Sequence, residues 1–285
     1  MLPSSKTSIV LELLSADKSE NLVFHYTSAL CTVTELLQSG QFRMGRLKQM
    51  NDPLEFLDKL RFFSGGVTFD LNESRRITKQ LEIADRHRIE RVRLDSFAQD
   101  RSAGPQGRED LFHKGWAGSR MWAQYAGSHS GVCLVFDRLQ IYKAIRGKLG
   151  HTDSKNSPLI QHRVRYTDHL PTLIKHLYPN VESQFSDEEF TNWYLEKCQP
   201  LRFLKHRDFR DEHEYRYLLI REDFDPREPN FEFPISGCIK AVILGCRFPE
   251  AYRINMEHNA SKFDLELFDI DWKSGRPELG LCNPA

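Results

Sequence analysis

Four short stretches of this 285-residue chain concentrate ionisable and hydrogen-bonding side chains beside apolar runs. They are Phe24-His25-Tyr26-Thr27-Ser28; the span from Arg43 to Glu55, with Arg46, Asn51 and Asp52 between; Trp122-Ala123-Gln124-Tyr125, with His129 after it; and Arg210-Asp211-Glu212-His213-Glu214-Tyr215-Arg216. A carboxylate such as Glu214, set against Tyr215 and Leu218, is a poor structural choice unless it is paired. It reads either as an ion-pair partner of Arg216 or Arg210, or as a group that steadies positive charge during a reaction. His25 has an ordinary reading as a hydrogen-bonded core histidine. Trp122 and Tyr125, three residues apart, have one as a helix-to-core stripe. Asn51 and Asp52 suit a turn and a helix cap. Asp52, Glu55, Glu212 and Glu214 would also serve around Mg²⁺, the arrangement of a metal-dependent nuclease or phosphoesterase.

The sequence contains no GxxxxGK[ST], no GxGxxG after a strand, no HExxH and no GxSxG, and its eleven histidines lack metal-ligand spacing. Any chemistry must therefore come from residues brought together by the fold. Forty basic residues against forty acidic ones give a formal net charge of zero. That balance removes the strong basic excess of a protein that coats nucleic acid or binds membranes through broad basicity, and leaves room for a local basic patch. A hydrophobic content of 40% with 28% charged residues is that of a globular chain long enough to bury a sizeable core. Six cysteines form no CxxC pair, and most sit in apolar runs such as Gly131-Val132-Cys133-Leu134-Val135-Phe136. They read as buried reduced thiols rather than a disulfide framework or a structural zinc site. The apolar stretch Ile9-Val10-Leu11 breaks at Glu12, and no run approaches the roughly 18 apolar residues of a membrane span. The expectation is a cytoplasmic protein without membrane contact.

These segments need elements to position them. Residues 1–20 read as an amphipathic helix, and 21–26 as a strand. A helix follows, with Leu30, Val33, Leu36 and Leu37 on its inner face, Thr27 or Ser28 as cap and Gly40 just beyond its end. Gln41 to Met44 reads as a second strand, and Asp52-Pro53 as a helix start. From about Arg75 to Asp100 the pattern predicts one long charged helix with Ile77, Leu81, Ala84, Ile89 and Val92 inward. Its basic surplus reads first as a solvated face and only weakly as a nucleic-acid contact. Arg120 to Ala126 reads as a short helix before a buried strand at 131–136, and 147–160 as a loop. Ser186 and Glu189 form a capping box, and His213–Ile220, Cys238–Leu244 and Lys262–Asp269 read as strands. The whole is an α+β chain: an N-terminal helix, then a single domain over 21–285 with helical insertions at about 55–115 and 170–205.

In that order, the His-Tyr-Thr-Ser, Asn-Asp-Pro-x-Glu, Trp-x-x-Tyr, Gly-Val-Cys-Leu-x-Phe and Glu-x-Glu-Tyr-Arg motifs resemble a large bacterial family of uncharacterised proteins, over roughly residues 22–247. They are also distantly similar to ADP-ribosyltransferases of the His-Tyr-Glu type. The resemblance implies a split, mainly antiparallel sheet enclosing an NAD cleft, with NAD as substrate and no metal. It implies that His25 holds the ribose, Tyr125 stacks on nicotinamide and Glu214 stabilises the oxocarbenium ion, with Glu212 as the other candidate carboxylate. Thr27, Ser28, Arg43, Arg46, Asn51 and Trp122 complete the implied cofactor contacts. Tyr26 departs from the glycine that often follows the histidine in such enzymes. The implied partners are NAD, a macromolecular acceptor (nucleic acid or protein) and an antitoxin or regulatory protein, in a toxin-like or anti-phage role. The rival expectations are the Mg²⁺ enzyme and a non-catalytic module that binds a nucleotide or a protein.

Overall fold

The β-branched and aromatic run at 22–27 forms β1 (Leu22–Thr27), which pairs along its whole length with β4 (Val132–Asp137), from Leu22↔Asp137 to Thr27↔Val132. β4 is a near-continuous apolar run because both of its faces are covered. β10 (Ile239–Leu244), β11 (Glu266–Lys273) and β12 (Arg276–Leu281) extend this wing outward. The second wing centres on β3 (Val92–Ala98) and β8 (Glu214–Ile220), paired from Val92↔Ile220 to Ala98↔Glu214. β5 (Leu159–Arg163) lies outside β8, and β2 (Gln41–Arg46) carries β9 (Phe231–Pro234). Among the described residues, β10 and β11 are the only strands of this sheet that pair in parallel. A separate parallel ribbon joins β6 (Arg165–Thr167) to β7 (Leu204–His206). The computed structural model describes residues 10–14, 21–50, 71–101, 111–153, 158–168, 185–221 and 230–282.

The two wings meet at β3. Among the described residues it touches β1 only at Phe24↔Ala98, and β2 only at Gly45↔Leu94 and Arg46↔Arg93. Between those contacts the edge of Asp95–Phe97 lies outside both ladders, so the sheet splits. The fold is a single-domain mixture of helices and one mostly antiparallel sheet.

Helix α1 (29–39) begins at Ser28, whose Oγ accepts the Cys31 N–H at 3.2 Å. It widens to a π-helical turn at Thr32–Leu36 and stops at Gly40, whose φ of 67° is the left-handed conformation that glycine adopts without steric cost. Val33, Leu36 and Leu37 are buried, whereas Leu30, expected on the inner face, is exposed. The other helices are α2 (Leu71–Arg91), α3 (Ser119–Tyr125), α4 (Arg138–Asp153), α5 (Asp187–Cys198) and α6 (Arg253–Lys262). The capping box at α5 is present in both directions. α2 and α5 pack through Ala84, Phe190, Tyr194 and Cys198, and Tyr194 donates to Asp85 at 2.6 Å. On α2 the exposed Arg75, Lys79 and Arg86 alternate with Glu82 and Glu90, and Arg88 turns inward to Asp85. The exposed charges of the helix are thus of mixed sign, while Arg88 and Arg93 of the basic surplus are buried and Arg101 lies beyond β3.

Several expectations need correction. The long helix ends at Arg91, and 92–98 is the strand β3 inside the supposed insertion; Arg93 and Asp95 are buried there, so their charge imitates an exposed helix face. Helix α4 continues through Leu149, breaks at Gly150 (φ 71°, ψ 178°) and resumes helical backbone to Asp153, and β5 begins at Leu159, inside the supposed loop. Lys262 closes α6, and β11 starts only at Glu266, after Asp264 turns at φ 54°. Of the N-terminal helix only 10–14 is described, and it is helical; Asn51, Asp52 and Glu55 lie outside the described residues.

β1, β4 and the loops beside them close up at Gly131, where an added Cβ would stand 2.2 Å from the Thr27 carbonyl oxygen. Backbone cannot yield there as a side chain would. Gly131→Ala is expected to destabilise the fold by about 1–3 kcal/mol; an unchanged urea midpoint would contradict this packing.

Candidate active site

A cleft of about 260 Å³ opens where β3 parts from β1 and β2. His25, Tyr125, Glu212 and Glu214, drawn from β1, α3 and the entry to β8, all line it, together with Asp95, Lys205 and Arg216. The fold brings these sequence-distant groups to one place.

The carboxyl pair is created by a turn. A 3₁₀ helix, Arg207–Glu212, ends at His213, which takes the left-handed conformation (φ 45°, ψ 52°) before β8 begins at Glu214. The strand entry is tied down on both sides: the Glu214 N–H donates to the Tyr166 oxygen at 2.9 Å, and its carbonyl accepts from Val164 N at 2.9 Å. Both carboxyl groups then reach Lys205 on β7, whose ammonium lies 2.7 Å from Glu212 Oε2 and 2.5 Å from Glu214 Oε1. Arg216 Nε donates to Glu214 Oε2 at 2.5 Å, and its Nη1 to the Arg202 carbonyl at 2.7 Å. Tyr125 Oη donates to Glu212 Oε1 at 2.5 Å. Lys205 also sits 4.5 Å above the centre of the Phe209 ring. All four charged side chains are buried.

Burial pushes the Glu212 carboxyl up to about 7, and its hydrogen bond to Glu214 and that group's negative charge push the same way against Lys205. Burial acts on Glu214 too, but the Arg216 guanidinium, the Glu212 hydrogen bond and Lys205 outweigh it and hold Glu214 well below the usual carboxylate range. The pair therefore carries one fixed anion and one proton exchangeable near neutrality, the condition that suits general acid–base work.

His25 sits in an aromatic corner, its ring edge-on to Phe42 (4.8 Å between centroids) and Phe97 (5.6 Å). Burial lowers it to about 4, only partly offset by Ser96 O at 3.4 Å from Nδ1. The ring is neutral at pH 7. The Nδ1–H tautomer that donates to Ser96 leaves Nε2 an acceptor. Asp95 was not foreseen. Its Oδ1 accepts the Ser96 N–H at 2.9 Å, its Oδ2 has no partner among the described residues, and burial pushes the group far upward.

Other implied contacts fall elsewhere. Trp122 is fully buried, donates to the Trp116 carbonyl at 2.8 Å and meets the Tyr26 ring edge-on, so it is a core residue outside the cleft. The Ser28 hydroxyl is used as the α1 cap. Thr27 and Arg43 line a second hollow of about 650 Å³, which shares His25 with the first; Arg43 is paired there with Glu35. Arg46 lies beside neither, at the end of β2, and Asn51 lies outside the described residues. Sequence reading missed Lys205 and gave Arg216 only as a partner for Glu214. The single available signal for Lys205 was a lysine two residues after an apolar Phe203 on a short strand. Among the described residues no three His, Cys, Asp or Glu side chains gather as metal ligands. At Glu212 and Glu214 the place between carboxylates that a divalent cation would take is filled by the Lys205 ammonium.

Residues 121–217 match the model of a family described as a protein of unknown function, DUF2971. The chain is similar to an uncharacterised family. The matched stretch runs from α3 to β8 and so holds Tyr125, Lys205, Glu212, Glu214 and Arg216, while His25 lies before it. No curated protein and no solved structure matches the chain. No helix among the described residues is long and apolar enough to cross a membrane.

The pH dependence of stability follows with opposite signs. His25 takes a proton near pH 6.5 when unfolded but only near 4 when folded, so its contribution is present above 6.5 and lost as pH falls toward 4. Glu212 holds its proton to about 7 folded and about 4.5 unfolded, so its contribution is full below 4.5 and lost as pH rises through 7. In urea titrations across pH 4–7, His25→Gln is expected to flatten the acid limb by up to about 1.4 kcal/mol per pH unit, and Glu212→Gln to steepen it. Parallel curves for both variants and wild type would remove this assignment.

Proposed function

We propose that the protein transfers ADP-ribose from NAD to an acceptor, or to water when water arrives first. What carries the reading is the convergence of His25, Tyr125 and the Glu212–Glu214 pair on one cleft at the split of the sheet. At about 260 Å³ the cleft is smaller than the ~300–1,000 Å³ of pockets that enclose whole drug-sized ligands. It suits a ribose with one attached ring. The remainder of a dinucleotide extends past His25 into the second hollow, where Arg43 can exchange an exposed ion pair with Glu35 for a pyrophosphate at small cost.

In the reaction the bond between nicotinamide nitrogen and ribose C1′ breaks, and the electron pair leaves with neutral nicotinamide. The ribose becomes an oxocarbenium ion, and the acceptor's lone pair forms the new bond to C1′. Glu214 balances one of the two cations, Lys205 and Arg216, that engage its oxygens, so that the negative charge which favours the cationic ribose comes from Glu212 when it ionises. Glu212 takes the role of proton acceptor from the incoming nucleophile, because its carboxyl exchanges a proton near neutrality and its only bond on the Tyr125 side is to a hydroxyl that a ligand hydroxyl can replace. His25 Nε2 accepts from a ribose hydroxyl.

The test is nicotinamide release from labelled NAD, with the label followed into RNA, DNA and protein. Wild type is expected to consume NAD, and Glu212→Gln to lose about 10²–10³ in kcat with the fold intact. Glu214→Gln is expected to lose activity and about 3–5 kcal/mol of stability together, because it leaves Arg216 and Lys205 short of a buried partner. Wild type that neither binds nor consumes NAD would end this reading.

A further inference from the structure

Behind the turn that carries the carboxyl pair lies a third hollow, of about 580 Å³. Three arginines from separate segments line it: Arg101 after β3, Arg163 at the end of β5 and Arg210 in the 3₁₀ helix. Two acids line it as well, and both are already engaged. Asp100 binds Lys114 at 3.1 Å and the Gly115 N–H at 2.7 Å, and Asp211 binds Arg120 at 3.1 Å. Arg101 spends a donor on the Asp211 backbone carbonyl at 3.0 Å, and no carboxylate among the described residues is in ion-pair range of it or of Arg163. Among the described residues Arg210 has only the distant Asp211, at 3.9 Å. Positive charge is therefore in local surplus on a chain whose formal net charge is zero. His213, on the same wall, reports this: burial first and the Arg101 charge second lower its imidazole to about 4, against a weaker opposing pull from Asp211.

The position of the hollow gives the surplus a use. The turn that walls it includes Glu212 and Glu214, which face the first cleft, and His213, which faces the hollow. Tyr166 lines the hollow and holds the Glu214 N–H. An anion seated among the three guanidinium groups is one turn of chain away from the carboxyl pair. Planar guanidinium forks match phosphate oxygens in pairs, and three of them spread over an open hollow match successive phosphates better than a single carboxylate.

We infer that this arginine-lined hollow seats the phosphate backbone of a single-stranded polynucleotide, and so that the acceptor of the proposed transfer is nucleic acid. The inference rests on the proposed activity for its meaning but not for its test. Binding of fluorescently labelled single-stranded RNA and DNA oligonucleotides is followed by anisotropy as salt is raised. Three neutralised phosphates predict a slope of log K against log salt of about −2, at about −0.7 each. Arg163 and Arg210 are both exposed, so the double variant Arg163→Glu, Arg210→Glu should keep its circular dichroism and thermal midpoint. It should bind at least about tenfold more weakly, with a slope reduced to about −0.7. A folded double variant with unchanged affinity and slope would overturn the seat, as would wild type that binds no oligonucleotide. A mononucleotide competing at the same concentration as the oligonucleotide would assign the hollow to a small phosphorylated ligand instead, and equal binding of polyglutamate would assign it to acidic protein. Oligonucleotide binding without NAD consumption would sink the proposed activity alone; NAD consumption without oligonucleotide binding would sink the seat alone.

Discussion

An ammonium group shut between two carboxyl groups sets the terms for the rest of the molecule. Burying Lys205, Glu212, Glu214 and Arg216 together costs several kcal/mol per ion in lost hydration, and only close, complete pairing offsets it. The contacts of 2.5–2.7 Å among them provide that pairing. They also require that a short strand, a 3₁₀ turn and the first residue of β8 be held in fixed register. The parallel ribbon of β6 and β7, the left-handed His213 and the Tyr166 hydroxyl under the Glu214 N–H all serve that end. Well-packed apolar residues in place of such buried ion pairs often leave a protein as stable or more so. Stability alone therefore does not account for four charges there.

The split of the sheet complements this. A continuous ladder from β1 through β3 to β2 would have used the Asp95–Phe97 edge for hydrogen bonds and left no opening. With one bridge to β1 and two to β2, β3 holds the wings together yet presents a short unladdered edge, and the His25 ring takes up one of its carbonyls. The aromatic corner of Phe42 and Phe97 then keeps the imidazole neutral.

Where sequence reading succeeded, local chemistry and tertiary structure agreed. The Ser28 cap, the left-handed Gly40, the Ser186–Glu189 box and the buried run of β4 each depend on neighbours in sequence. His25, Tyr125, Glu212 and Glu214 were legible as candidates because motif order pointed at them, and the fold places all four on one cleft. β3 was illegible because Arg93 and Asp95 are charged residues buried on a strand, so the alternation that betrays a half-buried strand was hidden. Lys205 was illegible for a related reason: its meaning lies in two carboxylates seven and nine residues away, and nothing local announces them. Trp122 shows the reverse error. Its place beside Tyr125 suggested a ligand contact, but the two rings share a helix face and pack on one core cluster; Trp122 is fully buried in it, and only Tyr125 reaches the cleft.

The junction of α2 with β3 has a mechanical meaning. Arg91 ends the helix and Val92 begins the strand, with no residue between them to act as a swivel. α2 is clamped to α5 through Ala84, Phe190 and the Tyr194–Asp85 bond, which braces it as a stiff arm. Torque on that arm cannot dissipate in a connecting loop. It is delivered to the backbone four residues further on, where Asp95 and Ser96 form the floor beneath His25.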